Sequence, residues 1–158
     1  KISDINACVL KRPRHDKIVK DLEKMNVNIN YITDGDIAGA LSVIGDQPKN
    51  DIYYSTGGGP EGVIVAAALS CYGGQIQGRL VLNEEEKVRA KKLGIKDFNK
   101  KYNIDDMVKG DIIFCATGVT SGDLANGVKD LGNEFEVNTF SLHKSQKIIK
   151  SVTNIYNK

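Results

Sequence analysis

The chain has 158 residues, of which 41% are hydrophobic and 27% charged, and its net charge is +2 at neutral pH. This length suits one domain that buries about 70% of its unfolded surface. So small a charge excludes a general nucleic-acid or membrane surface and leaves any basic site local.

The longest apolar run, Val63–Leu69, is far too short to cross a bilayer. No signal-peptide pattern opens the chain, and Cys8, Cys71 and Cys115 are odd in number and set in apolar runs. They read as reduced core thiols of a cytoplasmic protein. None has an obvious basic neighbour that would activate it.

Ile5–Leu10 is a short apolar run that predicts a buried strand. Lys11-Arg12-Pro13-Arg14-His15 follows directly. Ile18, Val19, Leu22 and Met25 then recur at helical spacing, so Asp16–Asn26 is expected as an amphipathic helix. Val27–Ile32 alternates like a strand and runs into Thr33-Asp34-Gly35-Asp36. Ile37, Ala38, Leu41 and Ile44 share a helical face that Gly45 stops. Ile52–Ser55 is strand-like and enters Thr56-Gly57-Gly58-Gly59-Pro60-Glu61-Gly62. The helix after it, Pro60–Tyr72, is apolar almost all round, which predicts burial, with Gly73-Gly74 at its end.

Gln75–Leu82 reads as a further strand. Asn83 and Glu86 form a capping-box start to a charged helix that Gly94 closes. Phe98–Val108 fits a short helix or a loop. Asp111–Ala116 is expected as a strand, followed by Thr117–Asp123 and a short helix to about Leu131. Phe135–Leu142 and Ile148–Ile155 read as two closing strands.

Strand, polar turn and helix in alternation predict an α/β layered domain with a mixed, largely parallel sheet flanked by helices. Ligands of such domains sit beyond the C-terminal strand ends. The turns at Arg12, Asp34, Gly58 and Gly118 are therefore expected along one edge.

Each turn has more than one reading. Arg12 and Arg14 can grip phosphate oxygens bidentately beside the stiff Pro13, or form a solvated basic turn. His15 alone reads as a helix-start residue rather than a base. Asp34 and Asp36 around Gly35 can hold sugar hydroxyls or a divalent cation, or cap the next helix. Three glycines let backbone approach a ligand or take positive φ, and Pro60 suits a first helical position. That helix start attracts anions, yet Glu61 adds a negative charge there, which makes sense when a cation lies between. Gly57, Gly59 and Gly62 also spell G-x-G-x-x-G, with Glu84 near the end of the next predicted strand, a dinucleotide pattern. The G-K-[ST] of a P-loop is absent. The role of Thr117–Asp123 stays open.

In order and spacing, these motifs resemble the C-terminal half of the class II fructose-1,6-bisphosphatases, of the lithium-sensitive, inositol-monophosphatase-like superfamily. The resemblance runs from Cys8 to Leu142. It is carried by Arg12–His15, Thr33–Ala40, Gly57–Val63, Cys71–Leu80 and Ala116–Leu124; nothing is assigned after Leu142. It implies hydrolysis of the 1-phosphate of fructose 1,6-bisphosphate, in gluconeogenesis and glycerol metabolism, by a cytoplasmic enzyme. Arg12, Pro13 and Arg14 would then bind substrate phosphate. Asp34, Gly35 and Asp36 would line the sugar, Gly58 would meet it through backbone, and Glu61 would bind a divalent cation, Mn²⁺ or else Mg²⁺. No catalytic residue is assigned. The family's other metal ligands lie in an N-terminal half with an early acidic pair and a D-P-x-D-G-T-like motif, which this sequence lacks. The chain is thus expected to be the C-terminal part of a longer protein, inactive alone, with the other half as its partner. A homo-oligomer is expected; nucleic acid and membrane are not. The alternative is a nucleotide- or sugar-phosphate-binding domain without catalysis, or one with a purely structural role.

Overall fold

Residues 1–158 are described by a computed structural model. The first third alternates as expected: β1 (Asn6–Leu10), a 3-10 turn (Pro13–His15) running into α1 (Asp16–Lys24), β2 (Asn28–Ile32), α2 (Asp36–Leu41), β3 (Ile52–Tyr54) and α3 (Gly59–Tyr72). β1 lies between β2 and β3 and is parallel to both. A central parallel strand is covered on both faces, and Ala7, Cys8, Val9 and Leu10 are all buried. Leu10 stands opposite Ile32, and Val9 opposite Tyr54. The three chains therefore leave the sheet at one edge.

α3 explains its own unbroken apolarity. On one side Val65 and Leu69 cluster with Ala40 of α2; on another, Ala68 meets Phe114 and Leu142. A helix packed on two sides has no polar stripe to show, but the expected burial holds only from Val65 onward, because Val63 and Ile64 are exposed. Gly73, with φ 72°, ends it in the left-handed conformation that glycine adopts freely.

The rest of the chain adds β4 (Gln77–Gly78), α4 (Glu84–Lys92), β5 (Tyr102–Asn103), α5 (Ile104–Met107), β6 (Ile113–Thr117), β7 (Lys129–Asp130), β8 (Glu134–His143) and β9 (Ile148–Asn157). β4 and β5 form a small antiparallel pair. β8 is the spine of a separate antiparallel sheet, pairing with β6, β7 and β9. The layered α/β class holds, with parallel and antiparallel pairing in different sheets.

Several local expectations change. The Gln75–Leu82 strand shrinks to two residues because only Gln77 and Gly78 find a partner strand. The helix expected before Leu131 is absent. There, Gly118 and Gly127 bring the backbones of residues 118–121 and 125–127 into close contact, a crossing no helix allows. The Gly118 turn follows a strand of the antiparallel sheet, so only three turns share the parallel edge. Of the thiols, Cys8 is buried, Cys71 half-buried and Cys115 exposed, so the core reading suits Cys8 alone. No helix is long and apolar enough to cross a membrane.

Candidate functional site

The basic turn after β1 is built onto the loop after β3. Arg14 Nε–H donates to the Thr56 carbonyl at 2.6 Å. His15, 1% exposed, has Nδ1 2.6 Å from the Leu10 carbonyl and Nε2 2.9 Å from the Thr56 amide. A carbonyl can only accept and an amide N–H can only donate. Nδ1 therefore carries the proton and Nε2 is the acceptor. His15 does occupy the N-cap position of α1, but its side chain makes no cap bond. Sequence reasoning missed this role, for which Leu10 and Thr56 must first be brought together. Arg12 Nη1 donates to the Lys11 carbonyl at 2.9 Å, and Arg14 is exposed.

The two acids around Gly35 have separate fates. Gly35 takes φ 85°, a left-handed turn that glycine permits. Asp34 is exposed, and its Oδ1 accepts the Gly35 amide at 2.8 Å. Asp36 opens α2, which crosses from β2 over β1 toward β3. There Asp36 Oδ1 accepts from the Tyr53 hydroxyl and, at 3.0 Å, from Ser55 Oγ. Burial first, and the Asp36 carboxylate second, push the Tyr53 phenol upward from its ordinary pKa. Neither acid makes a side-chain cap bond for α2. Asp36 Oδ2 approaches Gly57, 3.7 Å from where a Cβ would stand. Asp36 thus ties down Tyr53 and Ser55, just before the glycine loop, while Arg14 and His15 hold Thr56.

Gly57, Gly58 and Gly59 all lie outside the positive-φ region; a Cβ would be crowded at Gly58 alone, since Gly59 faces open space and Gly57 only ordinary contact with Asp36. Gly58 has φ −69° and ψ 146°, and a Cβ there would collide with the Glu61 carboxylate. Glu61 itself is exposed and folded back over Gly58. No side chain caps α3, whose free first-turn N–H groups face the same edge as Arg12 and Arg14. Two guanidinium groups and an uncapped helix start supply positive potential; Asp34 and Glu61 supply exposed carboxylate.

No group of three or more His, Cys, Asp and Glu side chains is placed to hold a metal ion. Glu61 fits as one ligand but does not form a metal site with other residues of this chain. The dinucleotide pattern loses its context. The strand after α3 pairs antiparallel with β5 instead of joining β3, and Glu84 sits in the first turn of α4, bonded to Lys87 Nζ at 2.6 Å. The βαβ unit that the pattern requires is absent.

Elsewhere, Asp111, His143 and Ser145 meet at the β6–β8 end. Asp111 Oδ2 lies 2.8 Å, and Ser145 Oγ 3.2 Å, from the same ring atom, His143 Nε2. A nucleophilic triad needs its serine and its carboxylate on opposite ring nitrogens. Ser145 donates instead to Asp111 at 2.7 Å, and the bonds from Ser145 and then His143 hold that carboxyl well below the usual range. The cluster fastens a hairpin. A hollow of 230 Å³ between α2, α3 and Leu124 is bordered by Lys49 and Asp123, ion-paired at 2.9 Å, and lies apart from the three-turn edge.

The model of the bacterial, glpX-encoded fructose-1,6-bisphosphatase family matches residues 1–156, well past Leu142 where the sequence motifs end. Among curated relatives, fructose-1,6-bisphosphatase class 2 of Haemophilus influenzae is 32% identical over 98% of the chain and 51% of its own length. Fructose-1,6-bisphosphatase 1 class 2 of Escherichia coli K12 is 30% identical over 98% of the chain and 50% of its own length. The chain spans about half the length of the curated relatives it matches.

Proposed function

The chain belongs to the bacterial, glpX-encoded fructose-1,6-bisphosphatase family, and from that premise we propose that it forms the substrate-holding half of a phosphatase that depends on a divalent cation. The substrate is fructose 1,6-bisphosphate and the products are fructose 6-phosphate and phosphate. The observation that carries this reading is the clamping of Thr56 by Arg14 and His15, which joins the basic turn to the glycine loop at one strand edge.

A bisphosphate brings roughly −3 to −4 of charge at neutral pH. Arg12 and Arg14 meet that charge with planar donor forks, and Pro13 stiffens the turn that presents them. The first turn of α3 adds backbone N–H groups. Gly58 lets the substrate approach its main chain. Asp34, Gly35 and Asp36 border the sugar: Asp34 with a carboxylate open to solvent, Asp36 from its place against Tyr53 and Ser55 at the end of β3. Glu61 provides one carboxylate to the cation, Mn²⁺ or Mg²⁺, and the remaining ligands come from outside this chain. When bound, such a cation polarises the phosphoryl group and activates water. This chain's own residues bind and orient the substrate. The cytoplasm, gluconeogenesis and a homo-oligomeric state complete the reading.

Phosphate release from fructose 1,6-bisphosphate with Mn²⁺ or Mg²⁺, by the longer protein that carries this sequence, tests it. Glu61→Ala is expected to lower the rate by more than about a hundredfold, and an unchanged rate would remove Glu61 from the site. A second reading, binding without catalysis by the chain alone, is favoured by the single metal ligand it offers. Calorimetry on the chain as it stands is expected to show binding of fructose 1,6-bisphosphate and none of NADH. The reverse preference would restore the dinucleotide pattern.

A further inference from the structure

We propose that His15 is a positioning residue that sets the phosphate-binding edge, its imidazole fixing the backbone of Thr56–Gly58 against the Arg12–Arg14 turn. The inference rests on reading this edge as a bisphosphate site. His15 is 1% exposed, while Arg14 and Asp16 on either side of it are exposed. Burying a polar ring is costly unless its nitrogens are bonded, and both are, to groups from two different strand ends.

The register shows what the ring replaces. Val9 stands opposite Tyr54, the last pair between β1 and β3. One more step of a parallel ladder would bring the Thr56 amide to the Leu10 carbonyl. The imidazole stands between those two groups, donating to one and accepting from the other, so the chains part by the width of the ring. Beyond that point the loop turns outward as Gly57 and Gly58. The other polar group of Thr56, its carbonyl, is taken by Arg14 at 2.6 Å. Both backbone groups of Thr56 are thus held by consecutive residues of the basic turn. An anion that touches both the guanidinium groups and the loop meets them at a separation set by His15.

Two substitutions separate positioning from bulk. His15→Phe keeps a ring and removes both nitrogens; His15→Gln keeps one donor and one acceptor at comparable spacing. Amide hydrogen exchange at Thr56, Gly57 and Gly58 is read against Cys8 in the middle of β1, alongside calorimetric titration with fructose 1,6-bisphosphate. In His15→Phe, which leaves the Leu10 carbonyl and the Thr56 amide without a partner, exchange at 56–58 is expected to rise about tenfold with Cys8 unchanged, and affinity to fall about tenfold. His15→Gln is expected to recover most of both. Unchanged exchange at 56–58 would overturn the clamp; faster exchange with undiminished affinity would overturn its role in binding. A wild-type chain that binds no bisphosphate, while exchange still responds, would overturn the reading of the edge and leave the clamp standing. Should His15→Phe lose protection at Cys8 as well, the nitrogen spectrum of the wild type decides. A protonated Nδ1 and a hydrogen-bond coupling between Nε2 and the Thr56 amide are expected, and their absence would overturn the proposal.

Discussion

The turns at Gly58 and Gly118 look alike on paper: each follows a strand, and each mixes glycine with hydroxyl residues. Neither glycine needs positive φ, and at each a Cβ would meet an atom already there. They differ in what blocks it. At Gly58 the obstacle is the tip of the Glu61 side chain, which can swing away. At Gly118 it is the main chain at Asn126, which cannot. The first turn lies on the parallel edge, with an uncapped helix start and exposed charges around it. The second is locked into the antiparallel sheet, where the Gly118 amide bonds the Asn138 carbonyl at 3.0 Å. A turn kept open by a side chain has room to exchange that side chain's position for a ligand. A turn closed by backbone is architecture.

The largest effect that separates them is on stability. Gly118→Ala is expected to destabilise by about 3 kcal/mol, the upper range for overpacking against a rigid neighbour, read from urea unfolding. Gly58→Ala is expected to stay within about 0.5 kcal/mol of wild type in the same measurement. Its cost falls on Glu61: cation-dependent phosphate release by the longer protein should drop at least about tenfold, as misplacing a group beside the reaction does. Equal destabilisation by the two substitutions would erase the distinction. The smallest effect comes from the support behind the open turn. Tyr53→Phe removes one hydroxyl from Asp36 and is expected to cost about 1 kcal/mol. It also carries a pH signature. The phenol is raised above its ordinary 10.0, so the folded state keeps a proton that the unfolded state sheds. That contribution is intact below pH 10 and declines as the pH rises further. Melting curves above pH 10 should fall less steeply for Tyr53→Phe than for wild type.

These contrasts also mark what the sequence could disclose. β1, α1, β2, β3 and α3 were legible because local spacing dictates them: one run buried on both faces, two half-exposed strands, one amphipathic stripe, and an apolar helix with glycines beyond it. The three turns of the parallel edge followed from strand polarity. Partner choice was not legible. Gln75–Leu82 has the composition of a strand but finds only two residues of partner, and the segment after Asp123 crosses itself rather than coiling. His15 could not be read from the chain because its role exists only once Leu10 and Thr56 are neighbours. Asp36 likewise depends on the crossover that carries α2 to the end of β3. G-x-G-x-x-G was visible yet misleading, since its meaning lies in where the following strand pairs.

The β8–β9 hairpin has a consequence for the order of assembly. All ten residues of each strand are paired, from His143 with Ile148 to Glu134 with Asn157. So local a pairing forms within about 1–10 μs in isolated hairpins. β1 and β3, by contrast, must wait for the chain between Ala7 and Ile52 to be gathered in, and such long loop closures slow folding. The hairpin is therefore a scaffold available early, and the parallel edge with its clamped loop is the last part to acquire its shape. Pulse-labelled hydrogen exchange during refolding should find β9 amides protected ahead of those of β1, and the opposite order would refute this sequence of events. A chain refolding from the unfolded state would then hold its antiparallel frame before its parallel edge takes shape.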